Sequence, residues 1–143
     1  MTWNEPFSIK NLQLRNRIVL PPMATEKSSH TGMITSDVLE YYRKMSLTGV
    51  GLMIVEHNFI HAEGRFSPNQ MSIQSDQDIA FHRELSSTIH LNKTPVICQI
   101  SHAGSNRLLA VAGESIGPSA IAHPVSGLIP AECTRSNLEE IKN

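Results

Sequence analysis

Aromatic residues are scarce: one Trp, two Tyr and four Phe make up 5% of the 143 residues. A stacking surface for single-stranded nucleic acid needs aromatics interleaved with cations, and this sequence is short of both. Nor does charge of one sign dominate, because 12 Lys and Arg meet 13 Asp and Glu for a formal net charge of −1. With no basic excess to neutralise a phosphate backbone, the composition argues against a nucleic-acid partner. Cysteine is limited to Cys98 and Cys133, far apart and without ligand-like spacing. That excludes a disulfide framework, a four-cysteine zinc site and an iron–sulfur cluster within the chain. No apolar run approaches the roughly 18 residues of a membrane helix. The opening Met-Thr-Trp-Asn-Glu-Pro has neither the basic nor the apolar region of a signal peptide. What is present is 40% hydrophobic and 17% charged residues, enough for a packed core. The expectation is one domain over residues 1–143, cytoplasmic and without membrane attachment.

Three short β-branched runs stand out: Arg17-Ile18-Val19-Leu20, Gly51-Leu52-Met53-Ile54-Val55 and Pro95-Val96-Ile97-Cys98-Gln99-Ile100. Each is nearly continuous, the pattern of parallel strands covered on both faces. Between the first two, Val38, Tyr42 and Met45 recur on one helical face, with Thr35 or Ser36 as cap and Gly49 as stop. Between the last two, Ser75-Asp76-Gln77-Asp78 reads as a capping box, and Phe81, Leu85 and Ile89 follow every four residues. The order strand–helix–strand–helix–strand predicts βαβ units in an α/β fold. Residues 101–130 are rich in Gly, Ser, Ala and Pro and read as a long loop, which in a compact domain is usually functional. Ser136-Asn137-Leu138-Glu139 then predicts the start of a further helix. Strand starts near 17, 51 and 95 set a repeat of roughly 35–45 residues, and a (β/α)8 barrel takes about 250. The expectation is the N-terminal part of a TIM barrel, about three βα units, truncated, with exposed sheet edges that invite self-association.

Ligands of parallel α/β folds gather at the carboxyl ends of the strands. Those ends carry Pro21, Pro22, Met23, Ala24 and Thr25, then Glu56 and His57, then Gln99 and Ser101-His102-Ala103-Gly104. Small residues and free backbone amides suit a flat, partly polar heterocycle, and Gln99 offers both a donor and an acceptor. His57 and His61, with Glu63 nearby, follow a strand instead of sharing a helical face, so their spacing does not make a metal site, and none is expected. Gly49-Val50-Gly51 precedes its strand and lacks a third glycine, which rejects a dinucleotide fingerprint.

An ordered set of blocks resembles the old yellow enzyme family of flavin oxidoreductases. It comprises residues 7–19 with Pro21-Pro22-Met23, Tyr41-Tyr42-Arg43, Gly49-Val50-Gly51-Leu52-Met53-Ile54-Val55-Glu56 and Gly64-Arg65-Phe66. It continues through Ser75-Asp76, Gln99-Ile100-Ser101-His102-Ala103-Gly104 and Gly117-Pro118-Ser119-Ala120-Ile121. The resemblance implies a (β/α)8 barrel holding FMN, reduced by NADH or NADPH, that passes hydride through flavin N5 to an activated alkene or related small-molecule acceptor. By position it assigns Pro21, Pro22, Met23, Ala24, His57 and Gln99 to the flavin, with Gln99 at the pyrimidine edge. Glu26 and His102 are the candidates for substrate contact. The family's catalytic pair, proton donor and phosphate loops match nothing here and are expected beyond residue 143. The 143 residues alone are therefore expected to hold FMN poorly and to turn over nothing. The alternative is a non-catalytic fragment that needs a missing C-terminal half or self-association.

Departures from the family pattern are specific. Ala24 replaces a Thr or Cys that hydrogen-bonds the flavin, leaving neighbouring Thr25 to supply such a bond. His57 stands where a small residue is usual. Ser105 stands where an Arg is common, and the sequence leaves open whether Arg107 takes its place. Glu26 stands where one subgroup has a substrate-contacting Tyr.

Overall fold

The computed structural model describes residues 2–111 and 113–142 of the chain. An antiparallel pair opens it, β1 (Phe7–Ile9) with β2 (Leu12–Leu14). Three-residue strands carry too little periodicity to be read from sequence, and this pair had no counterpart among the predicted elements. The chain then runs through β3 (Val19–Leu20), α1 (Ser36–Ser46) and β4 (Leu52–Phe59). It continues with β5 (Met71–Ser72), α2 (Ile79–His90) and β6 (Val96–Ser101). All three predicted strands and both intervening helices are therefore present. The first strand is shorter than its apolar run, Val19–Leu20 only, and ends where Pro21 and Pro22, which cannot donate to a ladder, begin.

β4 is the middle of a parallel sheet, with β3 on one side and β6 on the other, and β5 pairs with its last residues. Both helices cover one face of it. Val38 and Tyr42 from α1, and Leu85 and Ile89 from α2, close on Met53, Val55 and Met71 in one buried cluster. Each such side chain contributes about 1.5–3 kcal/mol by leaving water. The opposite face is another matter. Val19 and Ile97, which alternate with the cluster-facing Leu20 and Val96, are 40% and 46% exposed. The expectation that these strands are covered on both faces fails among the described residues, because α1 and α2 both lie on one side.

The helix ends follow capping chemistry. Thr35 caps α1 by accepting from the Val38 amide, and Gly49, with φ +79°, turns the chain back toward β4. The capping box of Ser75 and Asp78 forms as read, around a single 3₁₀ turn that leads into α2. The last helix, α3 (Arg135–Lys142), starts earlier than its predicted cap. Thr134 is the cap, its hydroxyl accepting from the Asn137 amide while Asn137 Oδ1 accepts from the Thr134 amide. Before α3, the long loop contains a parallel two-residue pair, β7 (Ile116–Gly117) with β8 (Ala131–Glu132). Arg107 is buried within this loop and donates to the Gly113 carbonyl, which fastens the loop. No helix among the described residues is long and apolar enough to cross a membrane.

Candidate functional site

The site is organised by an irregularity in β4. Val55 pairs with Cys98 and Asn58 with Ile100, so three steps along β4 match two along β6. This is a β-bulge, a device that re-aims side chains at strand ends. Val55 and Cys98 line the same helix-side cleft of about 260 Å3. Asn58 Nδ2 donates to Cys98 Sγ at 3.2 Å and so keeps to that side as well. Glu56 and His57 together fill the interval where a regular pleat has one residue. Gln99, between Cys98 and Ile100, lies directly across from them.

The segment after β3 is brought to the same place by Glu56. Its carboxylate accepts from the Thr25 amide (2.6 Å) and the Thr25 hydroxyl (2.7 Å). The Glu56 amide donates to Tyr42 Oη at 2.8 Å, and the Tyr42 hydroxyl returns a longer contact of 3.4 Å to the carboxylate. Burial pushes the Glu56 carboxyl above the ordinary range, against the lowering effect of the Thr25 hydrogen bonds and of neighbouring His57. Burial likewise raises the Tyr42 phenol. These are the ordinary consequences of removing charge from water.

Pro21, Pro22, Met23, Ala24, His57 and Gln99 are thus gathered around one bulge at the carboxyl end of the sheet. Met23, Ala24 and Gln99 are exposed. Among the described residues no hydrogen bond uses the Met23 or Ala24 amide or the Gln99 side-chain amide. His57 differs: its ring lies 5.5 Å from that of Phe66, and its Nε2 is buried with no hydrogen-bond partner among the described residues. An unpaired buried nitrogen costs about 1–3 kcal/mol. The donor set, three free N–H sources beside small and apolar surface, fits the polar edge of a planar heterocycle. Thr25 does not join it, because its hydroxyl is given to Glu56.

The other candidates are held by protein. Glu26, at φ +54°, accepts from Ser67 Oγ, and its carbonyl accepts from Asn69. His102 Nδ1 accepts from the Gly104 amide, and its ring lies where a Cβ on Gly64 would fall 2.3 Å from Cδ2. Burial, and then His61, hold the His102 imidazole below its ordinary range. These contacts fix the His102 ring against Gly64 and the turn at Gly104. His61 sits 4.0 Å from Glu63 and 3.6 Å from Glu140, and no cluster of three metal-binding side chains occurs among the described residues. Sequence reasoning missed the supporting roles of Glu56 and Tyr42. The available signal was a carboxylate closing the apolar run Leu52-Met53-Ile54-Val55, since a strand charge that leaves water needs partners.

Known proteins share this sequence and fold. An NADPH dehydrogenase of Clostridium acetobutylicum is 34% identical over 137 residues, covering 96% of this chain and 40% of its own length. An NADH oxidase of Thermoanaerobacter brockii is 32% identical, covering 93% of this chain and 21% of its own length. The old yellow enzyme homologue of Zymomonas mobilis superposes with a TM-score of 0.89 at 19% identity, over 99% of this chain and 42% of the other. The fold is therefore the corresponding part of an old yellow enzyme TIM barrel, and the chain spans about two fifths of the first of these relatives or less. The profile of the NADH:flavin oxidoreductase / NADH oxidase family matches residues 4–135, and with that extent of match the chain belongs to this family.

Proposed function

We propose that these residues supply one wall of the flavin site of an FMN-dependent NAD(P)H oxidoreductase. The observation that carries the reading is the convergence of residues 21–24, His57 and Gln99 on the β4 bulge with their exposed N–H donors unused. When bound, FMN would supply hydride-transfer chemistry between NADH or NADPH and an activated alkene or a related small-molecule acceptor. The chain's part is to hold and tune. Gln99 and the Met23 and Ala24 amides would hold the polar edge of the ring, and donors so placed would favour its electron-rich reduced form. The two free thiols, Cys98 and Cys133, support a reducing, cytoplasmic setting. In this reading the catalytic pair, the proton donor and the phosphate site come from polypeptide other than these residues, as the share of each relative that is matched supports.

A second reading is favoured by one observation, the exposure of Val19 and Ile97 on the uncovered sheet face. It holds that the 143 residues form a non-catalytic piece that hides this face by self-association. Intact mass and visible absorbance of material purified without added flavin separate the two. The first reading expects absorption between about 370 and 460 nm to accompany these residues whenever the remaining barrel strands are present. A colourless assembly with a complete barrel would overturn it. Colourless oligomers of the 15.8 kDa chain would favour the second.

A further inference from the structure

Between β3 and Thr25 the chain has almost nothing to hold it. Pro21 and Pro22 have no N–H, and the amides of Met23 and Ala24 make no hydrogen bond among the described residues. Upstream the segment is fixed by the Val19–Leu52 and Leu20–Met53 pairings. Downstream the first hydrogen bonds into the body of the fold are those of Thr25, and both end on Glu56. Glu56 in turn is fixed through its own amide to Tyr42 of α1, and it occupies the bulge facing Gln99.

We propose that Glu56 is a positioning residue: through Thr25 it sets the path of residues 21–24 relative to Gln99, and so the shape of the flavin wall. The inference rests on the flavin reading for its consequence and on the Glu56–Thr25 geometry for its substance. A carboxylate buried without a cationic partner is an expensive way to fill a strand end. Its two oxygens meet two donors of one residue, an arrangement that fixes orientation as well as distance. The same arrangement survives without charge. In Glu56→Gln the amide oxygen can accept from the Thr25 amide while the NH₂ donates to the Thr25 hydroxyl. Glu56→Leu keeps the bulk and removes both bonds, and Thr25→Val removes only the hydroxyl arm.

The test reads Thr25 directly in the intact chain, by amide hydrogen exchange resolved by NMR, together with titration of FMN itself followed by flavin fluorescence. Loss of a hydrogen bond to a charged group corresponds to about a tenfold or greater rise in exchange. That rise is expected at Thr25 in Glu56→Leu, with a smaller one in Thr25→Val and near-wild-type exchange in Glu56→Gln. FMN affinity should fall about tenfold in Glu56→Leu and be rescued in Glu56→Gln, which a role in bulk stability alone would not produce. Wild-type exchange at Thr25 in Glu56→Leu overturns the proposal, and so does a Gln variant as impaired as the Leu variant. If Glu56→Leu does not fold, unchanged Thr25 exchange and FMN affinity in Thr25→Val overturn it instead. If wild-type chain gives no FMN response, Thr25 exchange alone decides whether Glu56 fixes the segment, and the flavin reading is decided by the assembly with a complete barrel.

Discussion

Gly51 is the glycine whose replacement should hurt most, and the reason is space, not backbone conformation. A Cβ there would lie 2.2 Å from the Asn16 carbonyl oxygen and 2.7 Å from Asn16 Oδ1, both closer than real Cβ atoms approach. Asn16 cannot simply retreat. Its Nδ2 donates to the Gly49 carbonyl at 2.8 Å, its Oδ1 accepts from the Ile18 amide at 3.1 Å, and Gly51 itself donates to Ile18 at 2.9 Å. These bonds tie the entry of β3 to the entry of β4. Overpacking costs about 1–3 kcal/mol, and each hydrogen bond given up adds about 1 kcal/mol. Gly51→Ala should therefore lose about 3 kcal/mol, or roughly 10 °C in Tm for a chain of this size. Gly49→Ala is the control, because φ is +79° there but nothing lies within 4 Å of the new Cβ. Its cost should be the left-handed penalty alone, about 1–2 kcal/mol. Urea and thermal unfolding followed by circular dichroism measure both. A Gly51→Ala variant no less stable than Gly49→Ala would refute the reasoning.

Met53 is fully buried at the centre of the helix-side cluster, so Met53→Ala should cost about 2–5 kcal/mol in urea unfolding. Glu56 should make the fold less stable as pH rises. Its carboxyl is held above the ordinary 4.5, so the protonated form is favoured in the fold, and stability is lost as pH climbs from there through the raised value. Tyr42 from α1 and adjacent His57 are the titratable groups facing it, and urea midpoints for Glu56→Gln should lack this step. His102 acts in the opposite direction. Its imidazole is held below 6.5, so its contribution is complete above that pH and lost as pH falls through the lowered value, a slope that His102→Asn should flatten. Ile97→Lys should reduce any self-association seen by sedimentation, since Ile97 is 46% exposed on the uncovered face.

The strands and helices that build the sheet were legible because Val38, Tyr42, Leu85 and Ile89 repeat at helical spacing and the strand runs are apolar and short. The strand ends were legible as a site for the same reason, since a parallel sheet places them together. What escaped was local and pairwise. The two-residue β5, β7 and β8 carry no period, and β4 outruns its apolar stretch where Asn58 Nδ2 donates to Cys98 Sγ and the Gln99 carbonyl. The bulge could not be read, because an extra residue on one strand shows only when both strands are in register. Thr25 looked like a free hydroxyl near the flavin position, and only its distance to Glu56 shows it engaged. The sequence left open what Arg107 does, and only the structure shows it buried and bonded to the Gly113 carbonyl.

The central claim, that residues 21–24, His57 and Gln99 form a flavin wall, is tested most directly by following the backbone amide spectrum of the 143-residue chain as FMN is added. The account predicts weak binding with shifts concentrated at Met23 and Ala24, at residues 56–58 and at residues 99–102. Shifts confined to other surfaces, or none at those amides at the highest FMN concentration, would contradict it.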